Sequence, residues 1–505
     1  MAQTFKPPRT QRLYDVCVVG SQLGGVAAGA LLARRGFRVL HVDHDGLGAS
    51  YEDGGWLLPY APAVVPSLKA FPAASAVLAE LGLTADLDRH LEPCRPDLQL
   101  ILPRHRLDLS HLAPARLAEL EREWPGNGEH LEAAFSEAGR LFDASSPFLA
   151  GTPPLPPSGL RQRWALSKAL RQAATTRPDS AAPFASLDGH PLAEALSAFA
   201  RFLHYLEGDA PPLGLTRLLG AAARGTWRLP GGHEGLREIL RRRIAESRGE
   251  LLGAEGAPAI AESLEVERGR VVSVRLEDSD DVFAARAFVS ATDAPALRRL
   301  IPGGGERLAA LLDRVRPARQ LLAVNLVVKA AALPPPLGET SLCLGVQDPE
   351  LGPALLVQVL PGRRGARTGP TEQAAEERVI CAAAFVSVRS RDKGRDHLAG
   401  LAARVRAALD EAIPFLGSQT VHESVPLLAA PSERRGSRLM AHPLYEVQLP
   451  RTLGVTGLPT RSPIKNLFFA GREVVPGLGI EGEFHAALQA AARVQDMLGK
   501  KELLR

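Results

Sequence analysis

The chain has 505 residues, with 60 Lys and Arg against 56 Asp and Glu and a sequence pI near 9.0. Its 45% apolar content suits two or three packed domains, or one interleaved pair. The basic excess is spread over many arginines, among them Arg241, Arg242 and Arg243. At 5% aromatic residues no base-stacking platform accompanies it, so nucleic acid is not an expected partner, whereas an anionic membrane surface stays open. Four isolated cysteines, Cys17, Cys94, Cys343 and Cys381, form no CxxC pair, so no disulfide framework, metal site or redox dithiol is expected. The first thirteen residues lack the apolar stretch of a secretory signal, and no uninterrupted run of about 18 apolar residues occurs. A cytoplasmic protein, at most peripheral to a membrane, fits these features.

The first element is a short apolar strand, Val16 to Val19. A turn with Gly20, Gly24 and Gly25 follows, then an Ala- and Leu-rich helix from Val26 to Arg35 that Gly36 ends. Phe37 to Val42 is a second strand, with Asp43 at its tip. Strand, glycine turn, helix, strand and acid make the dinucleotide-binding unit. Asp43 lies 23 positions after Gly20, near the spacing of about 20 at which an acid meets the adenosine ribose. One position disagrees. The pattern asks for Gly-x-Gly-x-x-Gly, and Gln22 stands where the second glycine lets a pyrophosphate approach the backbone.

Beyond Asp43, Tyr51 to Pro59 reads as a hairpin turning at Asp53-Gly54. Residues 66–225 read as mostly helical, with helical spacing over Leu78–Leu91, Leu112–Trp124 and Leu192–Leu206, and Pro147–Pro157 as a stiff loop or lid. A second signature, Pro230-Gly231-Gly232-His233, precedes a charged helix to Ser247. Strands are expected at Ala259–Glu267, Val271–Glu277 and Ala284–Ser290. Strand-like runs at Leu321–Val328, Ala354–Leu360 and Val379–Val386, with a helix at Leu398–Ala412, predict an antiparallel sheet. The third signature runs from Asn466 through Gly471, Arg472, Glu473, Gly479 and Ile480 into a closing helix, a strand-turn-helix whose N-terminus would face an anion. The expected fold class is α/β: a Rossmann-like FAD/NAD(P)-binding domain from residues 1–65, 226–305 and 456–505, interleaved with an α+β substrate domain. The latter takes a mostly helical substrate or lid region, 66–225, and a sheet, 306–455.

With these three signatures in this order, the chain resembles the phytoene desaturase branch of the flavin amine oxidase superfamily. The resemblance implies an FAD cofactor and a long isoprenoid-derived substrate in a hydrophobic tunnel, desaturated, saturated or isomerised. It places Gly20, Gly25 and Asp43 on the adenosine diphosphate, Gly48 by the pyrophosphate, and Ala261 at a backbone contact to adenine. Gly471, Gly479 and Ile480 match the closing turn over the flavin. The departures gather on ligand positions: Gln22, Gly48-Ala49-Ser50 in place of Gly-Gly-Arg, and Gly471-Arg472 in place of Gly-Asp, with Glu473 able to replace that acid. Arg472 could instead pair with a phosphate. These substitutions imply that FAD is held weakly, in altered form, or not at all.

Flavin chemistry asks for few catalytic side chains, because the cofactor takes the hydride. His233, Glu483 and His485 are the candidates, with His442 and Tyr445 behind them. A capping or surface role is the bland reading of His233. Acids such as Glu481 and Glu483 suit a helix N-terminus whatever the function. Three functional readings stand: an FAD-dependent oxidoreductase, a binding or scaffold relative akin to the Rab GDP-dissociation inhibitors that has lost or weakened its flavin, and a site for another nucleotide such as NAD(P). Asp43 disfavours a 2′-phosphate. The sequence carries no signal of oligomeric state.

Overall fold

The computed structural model describes residues 11–499, apart from 47, 158, 173–183, 255–256, 278, 366–375, 415, 430–432, 435–436, 439 and 452–454. The opening unit forms as its sequence demands. Strand β1 (Gln11–Gly20) leads into helix α1 (Leu23–Arg34), and strand β2 (Val39–Val42) runs parallel to β1. Val16 to Val19 are shielded from solvent on both faces, as a central parallel strand requires. Every α1 residue except Arg34 is buried, which its Ala, Gly and Leu composition permits.

Three distant segments complete one sheet. Helix α2 (Gly232–Glu246) feeds strand β3 (Glu250–Ala254), which lies parallel to β2. Strands β4 (Ala261–Glu267), β5 (Arg270–Leu276) and β6 (Val282–Ala291) form an antiparallel meander, and β6 is parallel to β1 over its whole length. Near the C-terminus, strand β7 (Leu467–Phe469) joins β6 in parallel. Helix α3 (Gly479–Leu498) then packs on α1 through Phe484, Ala487, Ala490, Ala491 and Val494, all fully buried. Side chains the size of Phe and Val contribute about 1.5–3 kcal/mol each when buried, so this contact fastens the two ends of the chain together.

A second sheet stands beside the first. Its axis is Val315–Lys329, paired antiparallel with Glu377–Ser387, Thr420–Ser424 and Leu444–Val447. Ala354–Pro361 and Thr340–Leu344 extend it, and Leu98–Ile101 and Arg106–Leu109 form its far edge. The helix Arg395–Ala412 covers one face with Leu398, Leu401, Val405 and Leu409.

Several local expectations need correction. The two edge strands come from the stretch read as mostly helical; each is only four residues, too short to show a period. Leu78–Leu91 is two helices, Pro72–Glu80 and Thr84–His90, broken where Gly82 takes φ +66°. The helix expected to reach Leu206 stops at Ala200. Pro147 lies inside the helix Gly128–Ala150 and not in a loop.

The glycines of the first turn are explained by contact between strand ends. A Cβ on Gly20 would stand 2.3 Å from the Ala291 carbonyl oxygen, and one on Gly25 would stand 2.1 Å from the Ala291 Cβ. We therefore expect Gly25→Val to destabilise the protein by about 3 kcal/mol or more through overpacking, read as a lowered denaturation midpoint.

Candidate functional site

The opening and closing turns meet at the tip of β6. Gln22 N–H donates to the Ala291 carbonyl (2.9 Å), and Ala470 N–H donates to Ser290 (3.1 Å). A Cβ on Gly24 would stand 2.4 Å from the Ala470 carbonyl, so the turns touch. The Gln22 side chain lies in the seam. Its Nε2 donates to Asp293 Oδ1 (3.0 Å) and its Oε1 accepts from the Arg472 N–H (2.8 Å). The same oxygen stands 1.8 Å from where a Gly471 Cβ would be, so a side chain there would have to displace the Gln22 carboxamide.

The N-terminus of α1 carries free N–H groups and a partial positive charge. The chain supplies its own anions. Ser21 N–H donates to Asp45 Oδ1 (2.9 Å), whose other oxygen accepts from Thr292 (2.6 Å). Gly24 N–H donates to Glu483 Oε2 (3.1 Å). Asp43 is equally engaged: Arg241 Nη1 lies 3.1 Å from it, Arg237 Nη1 4.0 Å, and the Ser21 hydroxyl donates to it. Burial pushes its carboxyl up, but Arg237, His41 and Arg241 outweigh that and hold it below the ordinary value. At the remaining contact, Ala261 N–H donates to His44 Nδ1 (3.0 Å). His44 is 1% exposed, and burial keeps its ring neutral and able to accept.

The Ser21, Gly24 and Ala261 amides and the Asp43 carboxylate, which the resemblance places on an adenine dinucleotide's side of the fold, are thus bonded to other parts of the protein. As arranged, these residues do not fit that cofactor: carboxylates hold the phosphate-facing amides, an imidazole holds the adenine-facing amide, and a carboxamide fills the gap between the turns. Sequence reasoning missed His44, Asp45, Asp293, Arg237 and Arg241. The two arginines were findable, because a spacing of four on α2 puts both on one face within reach of a single acid. Arg241, one of the many arginines that make the chain basic, is 2% exposed.

The other site residues fall into two groups. Gly48 is buried after the Asp45-Gly46 turn, and its neighbours Ala49 and Ser50 line a cleft of about 380 Å³ between the two sheets. Tyr60, Phe202, Leu57 and Val379 make its apolar wall. His233, His442 and Arg472 line it too, as do Glu92, Arg228, Glu234 and Arg363. His233 Nε2 has no hydrogen-bond partner among the described residues. Burial, and then Arg472, lower its pKa to about 4, so the ring is neutral at pH 7. His442 Nε2 lies 2.9 Å from the His204 carbonyl.

The rest face elsewhere. Glu483, bonded to Gly24, lies 3.6 Å from Arg472 Nε and away from the cleft. His485 is fully buried, with Nε2 2.8 Å from the Pro153 carbonyl and 2.7 Å from Gln489 Nε2, so the proline-rich segment covers it. Neither lines the cleft, contrary to the catalytic placement read from sequence. Helical spacing could not say which face of α3 turns inward. Glu481 forms a fully buried pair with Arg217 (2.7 Å). Glu473 accepts from Ala294 N–H (2.8 Å) at the start of the helix Ala294–Leu300. Tyr445 is buried and donates to Asp293. Gly479, at φ +53°, lets the Leu203 carbonyl come within 1.9 Å of where a Cβ would sit, and Ile480 is a core residue. Among the described residues no cluster suits a metal ion, and no helix is long and apolar enough to cross a membrane.

Comparison with known proteins agrees with this architecture. Residues 18–81 match the NAD(P)-binding Rossmann-like domain. No curated protein matches the sequence. An oxidoreductase from Methanosarcina mazei superposes with a TM-score of 0.58 at 13% identity, over 95% of this chain and 100% of that one. Cyclohexylamine oxidase from Brevibacterium oxydans gives 0.54 at 16% identity, over 96% and 99%. Putrescine oxidase bound to putrescine gives 0.59 at 14% identity, over 97% and 99%. The chain has the fold of these oxidoreductases.

Two predictions follow from the buried charges. Removing one partner of a buried pair strands the other. Arg472→Leu is expected to cost about 3–5 kcal/mol, and markedly less in an Glu483→Gln background, in a double-mutant cycle by chemical denaturation. His485, held near pKa 4 by burial, contributes stability that is whole above its ordinary value near 6.5 and lost as pH falls through about 4. Asp293 and Glu473, both pushed up chiefly by burial, act in the opposite sense. His485→Gln should therefore flatten the acid-side loss between pH 6.5 and 4 by up to about 1.4 kcal/mol per unit relative to the parent.

Proposed function

We propose that this chain is a ligand-binding protein on an oxidoreductase fold, working without a bound dinucleotide. Its cleft would take a hydrophobic, isoprenoid-derived small molecule. The observation that carries this reading is the Gln22 carboxamide, which bridges Asp293 and the Arg472 amide where a pyrophosphate would pass. The apolar wall of Tyr60, Phe202, Leu57 and Val379 supports a greasy ligand, and His233 and Arg472 offer its polar end a neutral ring and a cation. Protein residues here bind and orient; the reading assigns them no bond-breaking step.

A second reading is favoured by a different observation. The cleft adjoins the closing turn through Arg472, and the fold is that of oxidoreductases. On this reading the chain is an FAD-dependent oxidoreductase of the desaturase or isomerase type, with flavin supplying the redox chemistry and His233 the residue nearest the substrate. It requires Gln22 and Arg472 to move aside.

One experiment separates the two. The first reading expects purified protein without a flavin spectrum, and no thermal shift with added FAD or ADP. It also expects Gln22→Gly to gain at most weak FAD uptake, since Asp45, Glu483 and His44 still hold the other contacts. Stoichiometric flavin in the parent protein, or its uptake from solution, establishes the second reading and ends the first.

A further inference from the structure

Away from the cleft, the helix Leu160–Gln172 presents an unusual surface. Leu160 is 84% exposed and Trp164, one turn on, is 63% exposed; they are the two most exposed large apolar side chains among the described residues. Leu166 faces the other way into the core at 3% exposure, which anchors the helix with the pair outward. Lys168 lies over the Trp164 ring at 5.5 Å, and Arg161 and Lys168 are exposed. No carboxylate pairs with either among the described residues.

The charge around this helix is one-sided. The helix itself carries Arg161, Arg163, Lys168 and Arg171 in its sequence and no Asp or Glu. The whole chain carries a net +4, so the four positive charges of this one helix equal the entire excess. A helix whose only charges are cations, with a protruding Leu–Trp pair, is complementary to one kind of surface. Anionic headgroups attract the basic side chains, and the acyl boundary below takes the apolar pair, with Trp at the depth its ring prefers. An acidic protein or a nucleic acid would reward the charge but leave Leu160 without a partner. The helix is too polar to span, so it would lie in the plane of the surface.

We propose that the helix Leu160–Gln172 docks the protein onto an anionic lipid bilayer. This holds whether or not the cleft proposal does, because it rests on a separate face.

The test is co-sedimentation of the full chain with vesicles of phosphatidylcholine alone and of phosphatidylcholine with phosphatidylserine. Protein should pellet with the anionic vesicles, not the neutral ones, and less as salt rises. Leu160→Glu with Trp164→Glu, and separately Arg161→Glu with Lys168→Glu, should each weaken binding by at least ~10-fold. All four positions are on the surface, so the thermal midpoint should stay unchanged and serves as the folding control. Absence of pelleting, or pelleting unaffected by either pair, overturns the proposal. Binding to RNA or an acidic protein that survives Leu160→Glu with Trp164→Glu, without vesicle binding, does so too.

Discussion

The structure depends on how the buried charges at the junction of the two chain ends are neutralised. Placing an ion in a protein interior costs several kcal/mol unless a counter-charge or hydrogen bonds accompany it. Asp43, Arg237, Arg241 and Glu483 are nearly solvent-free and Arg472 is half-buried, and each is charged in an ordinary protein at neutral pH. They are tolerable because they face one another and the helix α1 amides. Gln22, uncharged and able both to donate and to accept, closes the circuit between the opening and closing turns.

That arrangement has a thermodynamic meaning. A helix N-terminus opening onto a groove is an invitation to an anion, and a dinucleotide normally answers it. Here the answering groups are covalently part of the chain. Asp45 and Glu483 satisfy the amides without the translational entropy a bound cofactor would lose, and His44 does the same at Ala261. The fold can be complete in itself. Beside the seam lies the cleft, whose lining mixes apolar side chains with Glu92, Arg228, Glu234 and Arg363 and also carries two histidines and Arg472.

Much of the fold was legible. A doubly buried strand, a glycine turn, an Ala-rich helix and an acid can assemble in few other ways, and the strands expected at Ala259–Glu267 and Val271–Glu277 form and pair with each other. The site was less legible. Gln22 and Arg472 stood out only as departures from a pattern. His485 and Glu483 looked accessible because a helix reads the same from every side until something packs on it. Arg241 looked like one of many surface arginines because its partner, Asp43, is nearly two hundred residues away.

By itself the sequence determined the local conformations: where glycine had to permit a close approach, where apolar runs had to be covered on both faces, and that both chain ends carried turn-helix units. Those properties follow from backbone sterics and burial, which act over a few neighbouring residues. Only the tertiary structure decided which polar groups meet inside the seam, which face of α3 is covered by the Pro153 segment, and which of the groove's amides bond to side chains from elsewhere in the chain. Such outcomes turn on ångström distances between groups far apart in sequence, and a hydrogen bond or ion pair exists only when that distance is met.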